Sequence, residues 1–508
     1  MVWRLLVCSI VLYIGVNWLR RKISGLRSPP GPPGLPLLGN LFDVPSENSH
    51  LAFAELAKKY GPIMKLKVLH RTLIVVSGPK VISDLLEKRG AIYSDRPDFH
   101  MAMTAGFSWN PALKRHGDDW RIRRRLIHQK FYANATLSMH DLIRRTTVEF
   151  LRNMLNTPDN FRQHVRRSAA ASIMQAVYGI SIATENDPYV DIAVKAMEAQ
   201  GKCLLPGTNL IDTIPPLRHV PPWVPILGYW TRRAHELRKY PRDMIEVPYA
   251  RAKDDMRKGL AQPCMVVENL ELMETEPEIT EKVIKDACAV SYLGGADTTV
   301  GTLLGFIMAM VWWPELQRKA QEELDRVLGD RLPDFADQAS LPYVEAIIRE
   351  TYRRFPVLPL SIPHAVEEDD VYEGMFIPRG AEVLGNTWAL MHDEKEYPEP
   401  MKFDPDRWLR DGKLDESVQD PRIAIYGFGR RICPGRHFAD AAVFLEVAMA
   451  LKCFRFGTYV DSNGVAFPPS GEIITGLVST PAPFKCSIKP RSPDVEAMID
   501  AAVRVYED

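Results

Sequence analysis

The chain has 508 residues, 46% of them hydrophobic and 25% charged. These are globular proportions, and they exclude a disordered chain, a collagen and a polytopic membrane protein. Sixty-four Lys and Arg balance 64 Asp and Glu, so no global basic field points to nucleic acid. Seven cysteines (Cys8, Cys203, Cys264, Cys288, Cys433, Cys453, Cys486) are scattered without a CxxC pair. That argues against a zinc site or a disulfide framework and for a reducing compartment.

Residues 5–19 are apolar and precede Arg20, Arg21 and Lys22. With Val2 and Trp3 beyond Arg4, the run approaches the roughly 20 residues a membrane span needs. Arg4 can snorkel, and Trp3 and Trp18 suit the two interfaces. Residues 1–22 are therefore expected to form a single membrane anchor whose basic flank keeps the rest of the chain cytosolic. A cleaved signal peptide, which would carry its basic residues ahead of the apolar core, and a buried core helix are the competing readings. Residues 23–36 hold Pro29-Pro30-Gly31-Pro32-Pro33-Gly34, a semi-rigid hinge by composition; a Pro-rich ligand for a partner domain is the alternative. Residues 37–508 show neither a second linker nor a repeat and read as one domain.

Within it, apolar periodicity predicts helices over 50–60, 79–89, 118–131, 139–156, 161–178, 188–202, 230–258, 280–313, 314–328, 341–355 and 435–454. Pro314 suits a first helical turn, and Pro356 ends the helix before it. Strands are short: 63–68, 73–77, 371–376, 382–386 and pieces near the C-terminus. The expected fold is mainly α with a small β portion.

One cysteine stands apart. Residues 426–435 read Tyr-Gly-Phe-Gly-Arg-Arg-Ile-Cys-Pro-Gly. Cys433 thus follows a Gly-rich turn and opens a helix, where backbone amides favour a thiolate. The segment resembles the haem-binding loop of the cytochrome P450 family, Phe-x-x-Gly-x-Arg-x-Cys-x-Gly. Gly429, Arg431, Cys433 and Gly435 match; Tyr426 stands where the family usually has Phe. The resemblance implies a buried haem b with Cys433 as axial ligand of the iron and Arg431 on a haem propionate. A thiolate ligand pushes electron density onto the iron and favours O–O cleavage. The Tyr426 hydroxyl would need a partner if buried.

Three further segments match the family in order. Trp120 and Arg124, one helical turn apart, look like its Trp-x-x-x-Arg propionate contact. Arg121, Arg123 and Arg125 cannot share that face, and form either a basic patch for an acidic reductase or a solvated cationic face. Gly294-Gly295-Ala296-Asp297-Thr298-Thr299 resembles the family's oxygen-handling block. There Thr298 hydrogen-bonds the oxygen being activated, Asp297 helps deliver protons, and the glycines leave room above the iron. Glu350 and Arg353 resemble its Glu-x-x-Arg pair, with Arg407 as the third, structural member. His364 is a weaker propionate candidate, with a core or surface histidine as the alternative. Phe107, Ala296, Leu358, Leu360 and Leu477 are expected to line an apolar substrate pocket.

The resemblance implies a monooxygenase placing one atom of O2 in a lipophilic small molecule. No GxGxxG follows a strand, so electrons are expected from a separate NADPH–cytochrome P450 reductase. The implied location is the endoplasmic reticulum membrane, with the catalytic domain facing the cytosol. The Pro-rich stretch Asp212–Trp223 and Ile362-Pro363-His364-Ala365 look like fungal members, which often decorate terpenoids, polyketides or indole compounds. A reductase-independent isomerase or dehydratase and a non-catalytic haem sensor are the alternatives.

Overall fold

A computed structural model describes residues 26–507, apart from 46, 184–185 and 205–208. The expected anchor over 1–22 lies outside the described residues. The helices that position the site are α1 (Ser49–Tyr60), α2 (Asp118–Phe131), α3 (His140–Asn156), α4 (Phe161–Tyr178), α5 (Pro188–Leu204), α6 (Lys239–Arg257), α7 (Glu281–Trp312), α8 (Pro314–Leu328), α9 (Pro342–Arg354) and α10 (Arg436–Cys453). The strands used below are β1 (Ile63–Val68), β2 (Arg71–Val76), β3 (His364–Ala365), β4 (Glu382–Gly385), β5 (Phe454–Val460), β6 (Ala466–Phe467) and β7 (Cys486–Pro490).

The core is built around α7. From Ala287 onward its residues are apolar on nearly every side, with Asp297 the one charge, and such a helix must be surrounded. It packs on α2, α4, α5, α6, α9 and α10. Thr280 caps its start by accepting the Val283 amide at 3.3 Å. Among the described residues α7 alone is long and apolar enough to cross a membrane, yet most of it is buried in the protein. Glycines let it approach its neighbours closely. A Cβ at Gly295 would lie 2.8 Å from Ile173 of α4, and one at Gly305 3.1 Å from Phe355.

The larger sheet has strand order β1-β2-β4-β3, with β2 and β4 parallel and the other pairs antiparallel. A three-stranded antiparallel sheet, β6-β5-β7, carries the C-terminal region. The Pro-rich segment lies against β1 rather than free of it. Lys65 N–H donates to the Pro30 carbonyl at 2.8 Å, and Asn40 bonds both the Pro32 carbonyl and the Lys67 amide. A Cβ at Gly31 would collide with the Lys65 carbonyl oxygen, so the Pro-Gly pattern serves a close approach.

Three elements differ from expectation. The helix expected over 230–258 is two, Tyr229–Leu237 and α6, joined at Arg238. Pro241 lacks an amide hydrogen and fits only the first turn of a new helix. The helix expected over 79–89 runs as α only to Ile82, and Ser83–Lys88 continues in the wider π form. The strand expected over 371–376 is a hairpin, Asp370–Tyr372 with Met375–Ile377. Its two-residue turn puts Glu373 at φ 48° and Gly374 at φ 75°, the conformation such hairpin turns require.

Candidate functional site

Cys433 sits in the turn before α10, and Gly435 is that helix's N-cap. Its amide donates to the Tyr426 carbonyl at 2.7 Å, closing the loop on itself. Gly427 (φ 76°) and Gly429 (φ 54°) supply the left-handed turns this closure needs. A Cβ at Gly429 would lie 2.0 Å from the Leu86 carbonyl oxygen, so only glycine fits. Burial pushes the Cys433 thiol up. The Gly435 amide, Arg124 and Arg436 act against burial, and Asp440 acts with it. By contrast Cys203, Cys453 and Cys486 are buried, with thiols pushed up to about 12. The six described cysteines are all free.

Beside Cys433 lies a cationic cluster of the half-buried Arg124 and Arg431 and the buried Arg96. Arg124 makes no hydrogen bond or ion pair among the described residues, and burial lowers it to about 10, with Cys433 opposing. Arg431 Cζ lies 4.2 Å from the centre of the Trp120 ring. Its Nε donates to the Ser94 carbonyl at 2.7 Å and one terminal nitrogen to the Lys114 carbonyl at 2.9 Å. Burial lowers it too, to about 10, with Asp95 opposing and Arg124 adding. Arg96, 4% exposed, donates only to the carbonyls of Ala112, Ile362 and Pro363. No carboxylate pairs with Arg96, Arg124 or Arg431 among the described residues. A buried unpaired cation is costly, and three together fit a ligand that brings anionic groups.

His364 lies beside this cluster. Its Nδ1 is 2.7 Å from the Tyr93 carbonyl, and a carbonyl can only accept, so Nδ1 carries the proton. Burial, with Arg96 and Arg431, pushes the imidazole well below its usual range. Nε2 then offers a lone pair, and Arg96 lies beside it. Sequence reasoning passed over Arg96 because no spacing marks an isolated arginine between Asp95 and Pro97.

The other arginines of α2 are all engaged. Arg123 is 1% exposed and its Nε donates to Asp286 of α7 at 2.8 Å. Arg121 pairs with Asp118, and Arg125 with Glu276 at 2.7 Å. The expected basic patch therefore loses Arg123, which turns inward.

On α7, Thr298 Oγ1 donates to the Gly294 carbonyl at 2.8 Å. The space where a Cβ of Gly294 would lie is open, whereas Ile173 closes that of Gly295. Gly295 thus serves helix packing, and room on the Thr298 face comes from Gly294. Burial raises the Asp297 carboxyl; Glu198 acts in the same direction and Arg166 opposes.

Glu350 and Arg353 of α9 are both fully buried. Arg353 holds the carboxylate with two bonds of 2.8 Å. The Asp404 amide (2.8 Å) and Trp408 Nε1 (3.1 Å) donate to it as well, and Arg407 Nε lies 3.3 Å away. Of the expected pocket residues, Leu360 and Leu477 share one cleft of about 290 Å³ with Leu204, Pro359 and Leu384. Phe107, Ala296 and Leu358 do not line it; Phe107 and Ala296 are buried, at 0% and 8% exposure.

A glycine-closed cysteine loop, a central helix carrying Thr298 beside an open glycine, and arginines without carboxylate partners among the described residues fit a protein built around an anionic prosthetic group. The family model for cytochrome P450 matches residues 29–487. A cytochrome P450 monooxygenase of Postia placenta is 39% identical over 95% of this chain and 94% of its own. One from Armillaria gallica is 37% identical, over 94% and 95%. The tryptamine 4-monooxygenase of Psilocybe cyanescens is 35% identical over 97% of both chains. The chain belongs to the cytochrome P450 family and is a monooxygenase. The family implies a cysteine-ligated haem, a redox partner, O2 and a small-molecule substrate.

Proposed function

We propose that Cys433 is the axial ligand of haem b and that the chain hydroxylates a lipophilic small molecule, a fungal secondary metabolite such as a terpenoid, polyketide or indole compound. The carrying observation is a thiol facing the Gly435 amide near Arg124, Arg431 and the buried Arg96, none of which pairs with a carboxylate among the described residues. Arg124, Arg431 and Arg96, with Trp120 packed on Arg431, would hold the propionates. When bound, the haem supplies reductive activation of O2, with one atom going to the substrate and the other leaving as water.

The chain's own part is proton handling and exclusion of water. Thr298 can turn its hydroxyl from the Gly294 carbonyl toward the open space beside that glycine, giving a donor where oxygen is reduced. Asp297, raised by burial, holds a proton more readily than an ordinary carboxyl and can reload that hydroxyl. Leu204, Leu360, Leu384 and Leu477 favour an apolar guest. Glu350, Arg353 and Arg407 are structural.

Electrons would come from an NADPH–cytochrome P450 reductase at the endoplasmic reticulum. Residues 1–22 serve as the anchor, 23–36 as the segment joining it to the catalytic domain over 37–508. Exposed Trp223 (79%) and Ile226 (87%) support contact with a membrane.

The deciding experiment is the carbon monoxide difference spectrum of the reduced protein in microsomes. The long-wavelength Soret band of thiolate-ligated haem is expected, and Cys433→Ala should abolish it. A haem-loaded protein giving only the shorter-wavelength band would refute Cys433 ligation.

A further inference from the structure

Tyr426 carries a hydroxyl where the haem loop usually has none, and the structure gives that hydroxyl a partner. It donates to Asp440 Oδ1 at 2.7 Å. Tyr352 of α9 donates to the same oxygen at 2.9 Å, and Arg422 Nε lies 3.1 Å from it. The two phenol rings meet edge to face, 6.1 Å apart. One carboxylate oxygen thus ties α10, α9, the haem loop and the segment preceding it.

The charge of this cluster is not balanced. Arg422 also reaches Glu345 at 2.7 Å and Asp420 at 3.1 Å. Arg349 lies 3.4 Å and 3.3 Å from those same two residues. Asp440, Glu345, Asp420 and Glu416, the last 3.6 Å from Arg349, against Arg422 and Arg349 leave two negative charges over. Asp440 reaches the sulfur by two routes. Tyr426, which it holds, accepts the Cys433 amide. Its own helix starts at the Gly435 cap, whose amide faces the thiol.

We propose that Asp440 is a positioning residue for the thiolate: pinned by Tyr426, Tyr352 and Arg422, it fixes the Cys433 loop and adds a negative charge to the cluster that holds that loop. A negative charge there favours ferric over ferrous iron and holds the reduction potential of the bound haem down. The proposal rests on Cys433 being the iron ligand.

The test is a spectroelectrochemical titration of the haem-loaded full chain, with the carbon monoxide band recorded alongside. Asp440→Asn keeps an acceptor for both phenols and removes the charge. It should shift the reduction equilibrium toward ferrous iron by about tenfold, or about 59 mV for one electron, with the thiolate band retained. Tyr426→Phe keeps the charge and cuts the tie, and should shift the potential the same way by less. An Asn variant with the thiolate band and the parent's potential would overturn the proposal. If that variant takes up no haem, an unmoved potential in Tyr426→Phe overturns it. A parent protein without the thiolate band would instead refute the ligation on which the proposal stands.

Discussion

Glu446 lies on α10, 3% exposed. One of its carboxylate oxygens accepts the Ser168 hydroxyl, and the other has no partner among the described residues. Burial raises it to about 7, with Ser168 opposing. The folded state therefore binds this proton more tightly than the unfolded chain. Its contribution is fully present below the unfolded value of 4.5 and is lost as pH rises toward about 7. The loss is on the order of 3 kcal/mol. Glu446→Gln should match the parent in thermal unfolding near pH 5 and melt higher at pH 8; equal melting at both would show that the burial cost is relieved elsewhere. Nothing in the sequence flags Glu446, since Phe444-Leu445-Glu446-Val447 reads as an ordinary helical turn. Cys433, Arg431 and Thr298 were candidates in the sequence because fixed spacings carry them. Arg96 and Asp440 were not, because each acquires its role from residues far along the chain.

At the scale of the element, Gly294 and Gly295 make opposite demands on α7. A methyl at Gly295 meets Ile173 at 2.8 Å, side chain against side chain. Gly295→Ala should destabilise by about 1–3 kcal/mol through overpacking. A methyl at Gly294 meets nothing within 4 Å, so Gly294→Ala should gain about 1 kcal/mol of helix propensity. The same methyl would occupy space beside Thr298. The expected pair of results is a raised melting temperature with slower turnover at 294, and a lowered melting temperature at 295. If both variants lose stability, the open face assigned to Gly294 is wrong. The glycine pair was visible in the sequence, but its division of labour depends on where α4 lies. Helix boundaries were legible to within a residue or two wherever a cap or proline marked them, as at Thr280 and Pro314. The break at Arg238 was missed because the apolar period continues through it and only Pro241 signals a new first turn.

For the whole molecule, Glu350 is the point where distant segments meet. Its carboxylate gathers Arg353, the Asp404 amide, Arg407 and Trp408, while Arg353 also donates to the carbonyls of Met391 and Lys402. Removing one partner of a buried pair costs about 3–5 kcal/mol, a large part of the roughly 5–15 kcal/mol that stabilises a domain. Glu350→Ala should yield little folded protein by circular dichroism and little haem uptake; normal yield and haem content would show that the other donors find water instead. The mainly helical class was legible from composition and periodicity. The joining of α9 to residues 391–408 was legible only through the family resemblance, because exposed and buried Glu–Arg pairs look alike in sequence.

The unpaired arginines beside Cys433 carry a consequence for the life of the chain in the cell. Before its prosthetic group arrives, the folded chain holds three like charges that pair with no carboxylate among the described residues. A group that binds only the folded state adds stability in proportion to the logarithm of its free concentration. A newly made chain is therefore most exposed to proteolysis while it waits for porphyrin. Iron scarcity would then thin the population of this protein without any change in its transcription or translation, making its abundance a readout of cellular haem supply.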